Sequence, residues 1–165
     1  MHTPQTSEPK RRVLVVDDEQ DIRELLQVVF SDAGMQVDTA GTAEEAVQLY
    51  STNVYDLITL DCAMPGTDGV ELHKTLSQVF GFGRRVSPVL PQRLPPILVI
   101  TGWSEEPMVR DLVFGERVVG VIQKPVKCQE LLRVTDDLLN WENFRRQRRT
   151  NALNRLQERG VKVAV

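Results

Sequence analysis

Leu57-Ile58-Thr59-Leu60-Asp61-Cys62-Ala63-Met64-Pro65-Gly66-Thr67-Asp68-Gly69 reads as a buried strand that hands a carboxylate to a loop. Residues 54–60 form an apolar, β-type run that stops at Asp61. A Pro-Gly loop follows, and Asp68 opens a helical pattern over 69–78. A strand ending on an acid places that acid on the rim of a sheet. In open α/β sheets the rim at the carboxyl ends of the strands is where ligands bind.

Outward from this stretch, strand and helix alternate five times. Residues 12–16 are apolar and β-branched and lead into Asp17-Asp18-Glu19. The helix after them carries Ile22, Leu25, Leu26, Val29 and Ala33 on one face, with Gly34 as its stop. Residues 35–40 alternate as a second strand. Thr42, with Glu45 three residues on, is a capping-box pattern for a helix reaching about residue 51. Residues 79–95 break the rhythm with Gly81, Gly83, Pro88, Pro91 and Pro95 among Arg84, Arg85 and Arg93. The stretch far exceeds the usual αβ loop of about 2–6 residues and reads as an exposed insertion. A strand over 97–100 ends at Thr101-Gly102, and a helix over 105–114 has Pro107 in its first turn, where proline is tolerated. A strand over 118–122 is closed by Lys124-Pro125, and a helix runs over 127–140. Short apolar strands between amphipathic helices predict a doubly wound α/β domain over 12–140, its parallel sheet covered on both faces. A disordered tail over 1–11 and a basic, helical tail over 141–165 flank it.

In such a sheet the carboxyl ends of four strands share one side and bring Asp17, Asp18, Asp61, Thr101 and Lys124 to it. Clustered carboxylates repel and resist full ionisation unless a cation joins them. Hard oxygen donors suit Mg²⁺ better than zinc. A nucleophilic carboxylate, a metal, a hydroxyl and a lysine are what phosphoryl transfer onto an aspartate needs.

With these pieces in this order, residues 12–140 resemble the response-regulator receiver domain of two-component signalling. The resemblance is carried by Val15-Val16-Asp17-Asp18-Glu19, by Leu60-Asp61 with Met64-Pro65 and Asp68-Gly69, by Val99-Ile100-Thr101-Gly102 and by Lys124-Pro125. It implies a flavodoxin-like (βα)5 sheet of strand order 2-1-3-4-5. It implies that Asp61 accepts a phosphoryl group from a sensor histidine kinase or a phosphotransfer protein. Asp17, Asp18, Asp61 and the Ala63 backbone carbonyl would hold Mg²⁺. Lys124 and Thr101 would contact the phosphoryl oxygens, and the Lys124–Pro125 bond would be cis. The chain is then a phosphorylation switch for an unnamed downstream protein and not a turnover enzyme. Its binding face would be built from 105–114, 118–122 and 127–140. Ala63 and Trp103 would flank the path of water to the acyl phosphate.

The sequence departs from the family at Val121, where an aromatic that swings inward is usual, and at Gly102, where alanine is commoner. Val121 favours a second reading, a constitutive protein-interaction module with a decayed switch. An aspartate-phosphorylating hydrolase is a third, but it wants a second Asp where Ala63 stands.

The totals agree with one domain. The 165 residues carry a net charge of −3, unevenly spread: 141–165 hold six Arg and one Lys against two Glu, leaving an acidic body. The run Arg145-Arg146-Gln147-Arg148-Arg149 reads as a solvated or docking helix, with Trp141, Phe144, Leu153 and Leu156 as its apolar side. Too few residues follow 140 for a helix-turn-helix, so no specific nucleic-acid binding is expected. Cys62 and Cys128 have no metal-ligand spacing and suggest a reducing, cytoplasmic setting. His2 and His73 have no ligand-like partners. No apolar run approaches the ~20 residues a membrane span needs. A homodimer is left open.

Overall fold

The computed structural model describes residues 10–64, 95–102 and 118–140. Strand β1 is Arg12–Val16, helix α1 Gln20–Asp32, β2 Gln36–Ala40, α2 Ala43–Thr52, β3 Leu57–Leu60, β4 Ile97–Thr101 and β5 Val118–Gln123. Helix α3 covers residues 128–140. The five strands are parallel in the order β2-β1-β3-β4-β5, as the resemblance implies.

Strand alternation divides the core between the two faces of the sheet. Leu14 and Val16 of β1, with Ile58, Leu60, Ile97 and Val99, pack with Ala46 and Tyr50 of α2. Val13 and Val15, with Leu57, Leu98 and Ile100, pack on the other side with Leu26 and Phe30 of α1 and with Leu131 and Leu139 of α3. Helices therefore cover both faces, and β1, β3 and β4 are apolar on both.

The helix ends follow the local sequence. Gly34 has φ +83°, and α1 stops in a Schellman turn: Gly34 N–H donates to Ser31 O at 2.9 Å and Met35 N–H to Phe30 O at 3.0 Å. Thr42 Oγ1 accepts from Glu45 N–H at 3.2 Å at the start of α2. The Glu45 carboxylate reaches back to Gly41 N–H at 2.7 Å, one residue before the position a capping box uses.

Several expected boundaries move. Strand β3 begins at Leu57 and not at Val54, which is exposed. Tyr55 is buried, its hydroxyl donating to Asp38 Oδ2 at 2.9 Å, and Asp56 Oδ2 accepts from Arg12 N–H at 3.0 Å. These side-chain bonds add to a backbone bond at the amino end of the sheet, where Asp56 N–H donates to Arg12 O at 2.8 Å. On α1 the buried residues are Leu26 and Phe30; Leu25, assigned to the inner face, is exposed. Arg11, assigned to the tail, is anchored: its carbonyl accepts from Gln36 N–H at 2.8 Å. Pro95, assigned to the exposed insertion, is buried. The helices expected over 69–78 and 105–114, residues 79–94, Trp103, His2, His73 and the tail over 141–165 lie outside the described residues. Among the described residues no helix is long and apolar enough to cross a membrane.

Candidate functional site

Backbone hydrogen bonds fix the site before any side chain does. β1, β3, β4 and β5 run parallel, so their carboxyl ends share one edge of the sheet. Just past those ends Asp61 N–H donates to Val16 O at 2.9 Å, Asp17 N–H to Ala40 O at 3.1 Å and Lys124 N–H to Thr101 O at 2.9 Å. The residues that carry the chemistry thus hang directly from the sheet ladder. The Lys124–Pro125 peptide bond is cis.

Lys124 gathers the acids. Its ammonium lies 2.7 Å from Asp61 Oδ2, 2.6 Å from Glu19 Oε1 and 3.0 Å from Asp17 Oδ2. The first two are hydrogen bonds. The third is an ionic contact off the hydrogen-bonding angle, so Asp17 Oδ2 is buried with no hydrogen-bond partner among the described residues. The other Asp17 oxygen accepts from Glu19 N–H at 2.9 Å, and Asp61 Oδ1 accepts from Ala63 N–H at 3.0 Å. Asp17 and Asp61 are buried, whereas the Glu19 side chain is 60% exposed.

Burial pushes the Asp17 carboxyl above its ordinary range, with Glu19 N–H and Lys124 pulling the other way. For Lys124 burial disfavours the charge, but Asp61, Glu19 and Asp17 outweigh it and hold the ammonium above the ordinary lysine range. Three carboxylates around one ammonium leave an excess of negative charge. One oxygen from each of Asp17, Glu19 and Asp61 lies within 4.8 Å of the others. All the donors are hard oxygens, and Asp17 Oδ2 has unused acceptor capacity, so the residues present fit Mg²⁺.

Of the residues singled out in the sequence, Asp17 and Asp61 both meet Lys124. Thr101 ends β4 beside Lys124 in the ladder and is fully buried. Ala63 is exposed, with its N–H on Asp61 Oδ1. Asp18 is half-buried and outside the cluster of acids, where Glu19 stands in its place. The charge of Lys124 draws the longer glutamate across, a contact spanning 105 residues of chain that no local pattern announces. Arg23 is a second residue the sequence reading passed over. Its Nη1 donates to the carbonyls of Asp17 at 2.7 Å and Asp18 at 2.8 Å. An arginine at the end of the first turn of the helix after an acidic pair was the available signal. Val121 is half-buried against the core on the α2 side of the sheet. Cys62 is buried in that core and Cys128 is exposed.

The sequence matches the family described as the response regulator receiver domain over residues 13–136. The transcriptional regulatory protein ResD of Bacillus subtilis is 35% identical over 102 residues, which cover 62% of this chain and 36% of ResD. This chain thus spans about a third of that relative's length. Among solved structures, the chemotaxis protein CheY4 of Vibrio cholerae superposes with a TM-score of 0.66 at 25% identity, covering 79% of this chain and 99% of CheY4. The response regulator TrrA of Thermotoga maritima, solved in complex with Mg²⁺-BeF, superposes with a TM-score of 0.54 at 28% identity. That match covers 78% of this chain and 98% of TrrA. With the 2-1-3-4-5 parallel sheet and acids and a lysine at its strand ends, the chain belongs to the response regulator receiver domain family.

Proposed function

We propose that the chain is a phospho-accepting switch in which Asp61 takes a phosphoryl group from the phosphohistidine of a sensor histidine kinase or phosphotransfer protein. The observation that carries this reading is the Lys124 ammonium lodged among Asp61, Glu19 and Asp17 at the strand ends. An Asp61 carboxylate oxygen forms the new bond to phosphorus. The phosphorus–nitrogen bond to the donor imidazole breaks, and the imidazole leaves with the bonding pair and takes a proton. Lys124 balances the charge that builds on the phosphoryl oxygens, and Thr101 supplies a hydroxyl donor to them. Ala63 N–H, on Asp61 Oδ1, orients the carboxylate.

Mg²⁺, when bound, neutralises charge on the carboxylates and on the transferring group. Asp17 and Asp61 would hold it, with Asp18 and the Ala63 carbonyl as the further donors the family resemblance assigns. The output is a change in protein binding in a cytoplasmic setting, with slow self-dephosphorylation and no multiple turnover of a free substrate. A constitutive interaction module is the second reading, and the half-buried Val121 favours it because no aromatic stands there to swing inward.

Beryllofluoride, a stable stand-in for the phosphoryl group, separates these readings. With Mg²⁺ it should raise the melting temperature above that with Mg²⁺ alone, and Asp61→Asn should lose that increment. It should also change which proteins the chain retains. An increment with an unchanged set of partners would favour the constitutive module. No increment would remove the phospho-acceptor role.

A further inference from the structure

Arg23 is not one of the clustered acids or their lysine, yet it holds the loop that carries them. One nitrogen, Nη1, donates to two successive carbonyls, Asp17 at 2.7 Å and Asp18 at 2.8 Å. Both bonds are charge-assisted and short. They pin the peptide units between the end of β1 and Glu19, the N-cap of α1. That N-cap has no side-chain cap of its own, so the loop relies on other restraints. Across from Arg23 lies Gly41. A methyl group there would stand 3.2 Å from both Cζ and Nη1 of Arg23 and 3.4 Å from Nη2. Among the described residues Gly34 alone has positive φ, so Gly41 provides space rather than a left-handed backbone.

We propose that Arg23 is a positioning residue for the Mg²⁺-binding carboxylates and that Gly41 is the space its guanidinium requires. The inference rests on the Mg²⁺ site proposed above. By fixing two consecutive carbonyls, Arg23 sets the directions in which Asp17 and Asp18 leave the backbone. The Asp17 carboxylate is thereby held near Asp61, and Asp18, whose side chain lies outside the cluster of acids, starts from a fixed backbone when a cation binds. The guanidinium is also a positive charge near the acids, and charge alone would oppose a cation. Position and charge therefore act with opposite signs on Mg²⁺ affinity, which makes the role measurable.

The test uses the full chain and Mg²⁺ alone, followed by titration calorimetry. Arg23→Met should weaken Mg²⁺ binding about tenfold, the usual scale for losing a partner behind the ligands. Gly41→Val keeps the charge but displaces the guanidinium, and it should weaken binding in the same direction. Arg23→Lys should recover part of the loss. The double variant should bind no more weakly than Arg23→Met, because the crowding has nothing left to displace. Without Mg²⁺, the Glu19 amide, bonded to Asp17 Oδ1, should exchange its hydrogen faster in Arg23→Met while the β1 amides do not. Equal or tighter Mg²⁺ binding in Arg23→Met, or full additivity in the double variant, would overturn the inference and leave the Mg²⁺ site standing. A parent chain that binds no Mg²⁺ would overturn both.

Discussion

At the residue scale the site is a balance between one cation and three acids. Removing Lys124 leaves Asp17 and Asp61 buried with their ammonium gone. Lys124→Met should therefore destabilise the protein at neutral pH by on the order of 2 kcal/mol, below the range for fully buried pairs because Glu19 is exposed. The deficit should shrink as pH falls through the carboxylate range, since protonation relieves the same repulsion, and millimolar Mg²⁺ should restore part of it. Chemical denaturation at several pH values checks this, and a pH-independent deficit would contradict it. Thr59 makes a converse case. Its hydroxyl is buried on β3 with no hydrogen-bond partner among the described residues. Thr59→Val keeps the β-branched shape and removes the unpaired group, so stability should rise by about 1 kcal/mol. The positions of Asp17, Asp61 and Lys124 were legible in the sequence because each lies just past a strand, and strand ends are readable from apolar runs. Glu19 and Arg23 were not. Both act through contacts across turns of chain, and only the folded loop shows that the third acid reaches Lys124.

At the element scale the amino end of the sheet is held by a polar clasp. Arg12 Nε donates to Asp38 Oδ2 at 2.7 Å, the Tyr55 hydroxyl donates to the same oxygen, and the Arg12 guanidinium lies 5.4 Å from the Tyr55 ring centroid. Burial disfavours the Asp38 charge, but Arg12 and Tyr55 outweigh it and hold the carboxyl below its ordinary range. A carboxyl depressed on folding stabilises the native state above its unfolded value and loses that contribution as pH falls through the folded one. The melting temperature of the parent should thus exceed that of Asp38→Asn at neutral pH, and the gap should close as pH drops below about 4. A constant gap would mean that the bond geometry and not the charge matters. The same clasp lies where the expected strand over 54–60 begins. Val54 is exposed and the Tyr55 hydroxyl turns to Asp38, while Asp56 N–H still donates to Arg12 O at 2.8 Å, so strand β3 itself begins at Leu57. On α1 both Leu25 and Phe30 fit a helical spacing with their neighbours, and in the fold Leu26 and Phe30, four residues apart, turn inward while Leu25 is exposed.

At the scale of the whole molecule, parallel pairing brings four strand ends to one edge and makes a single acidic site from distant segments. The βα alternation was readable because β1, β3 and β4 are short apolar runs, β2 alternates, and α1 and α2 carry acids in their first turns. A ligand that binds only the folded edge must raise stability. Mg²⁺ at about ten times its dissociation constant should add about 1.4 kcal/mol. Asp18→Ala should remove most of that gain and Glu19→Gln little of it, while equal losses would put Glu19 among the donors. The central claim is that Asp61 is the acceptor, and intact mass addresses it most directly. After incubation with a small acyl phosphate and Mg²⁺, the full chain should gain the mass of one phosphoryl group. Asp61→Asn under the same conditions should gain none, and equal labelling of the two would contradict the account.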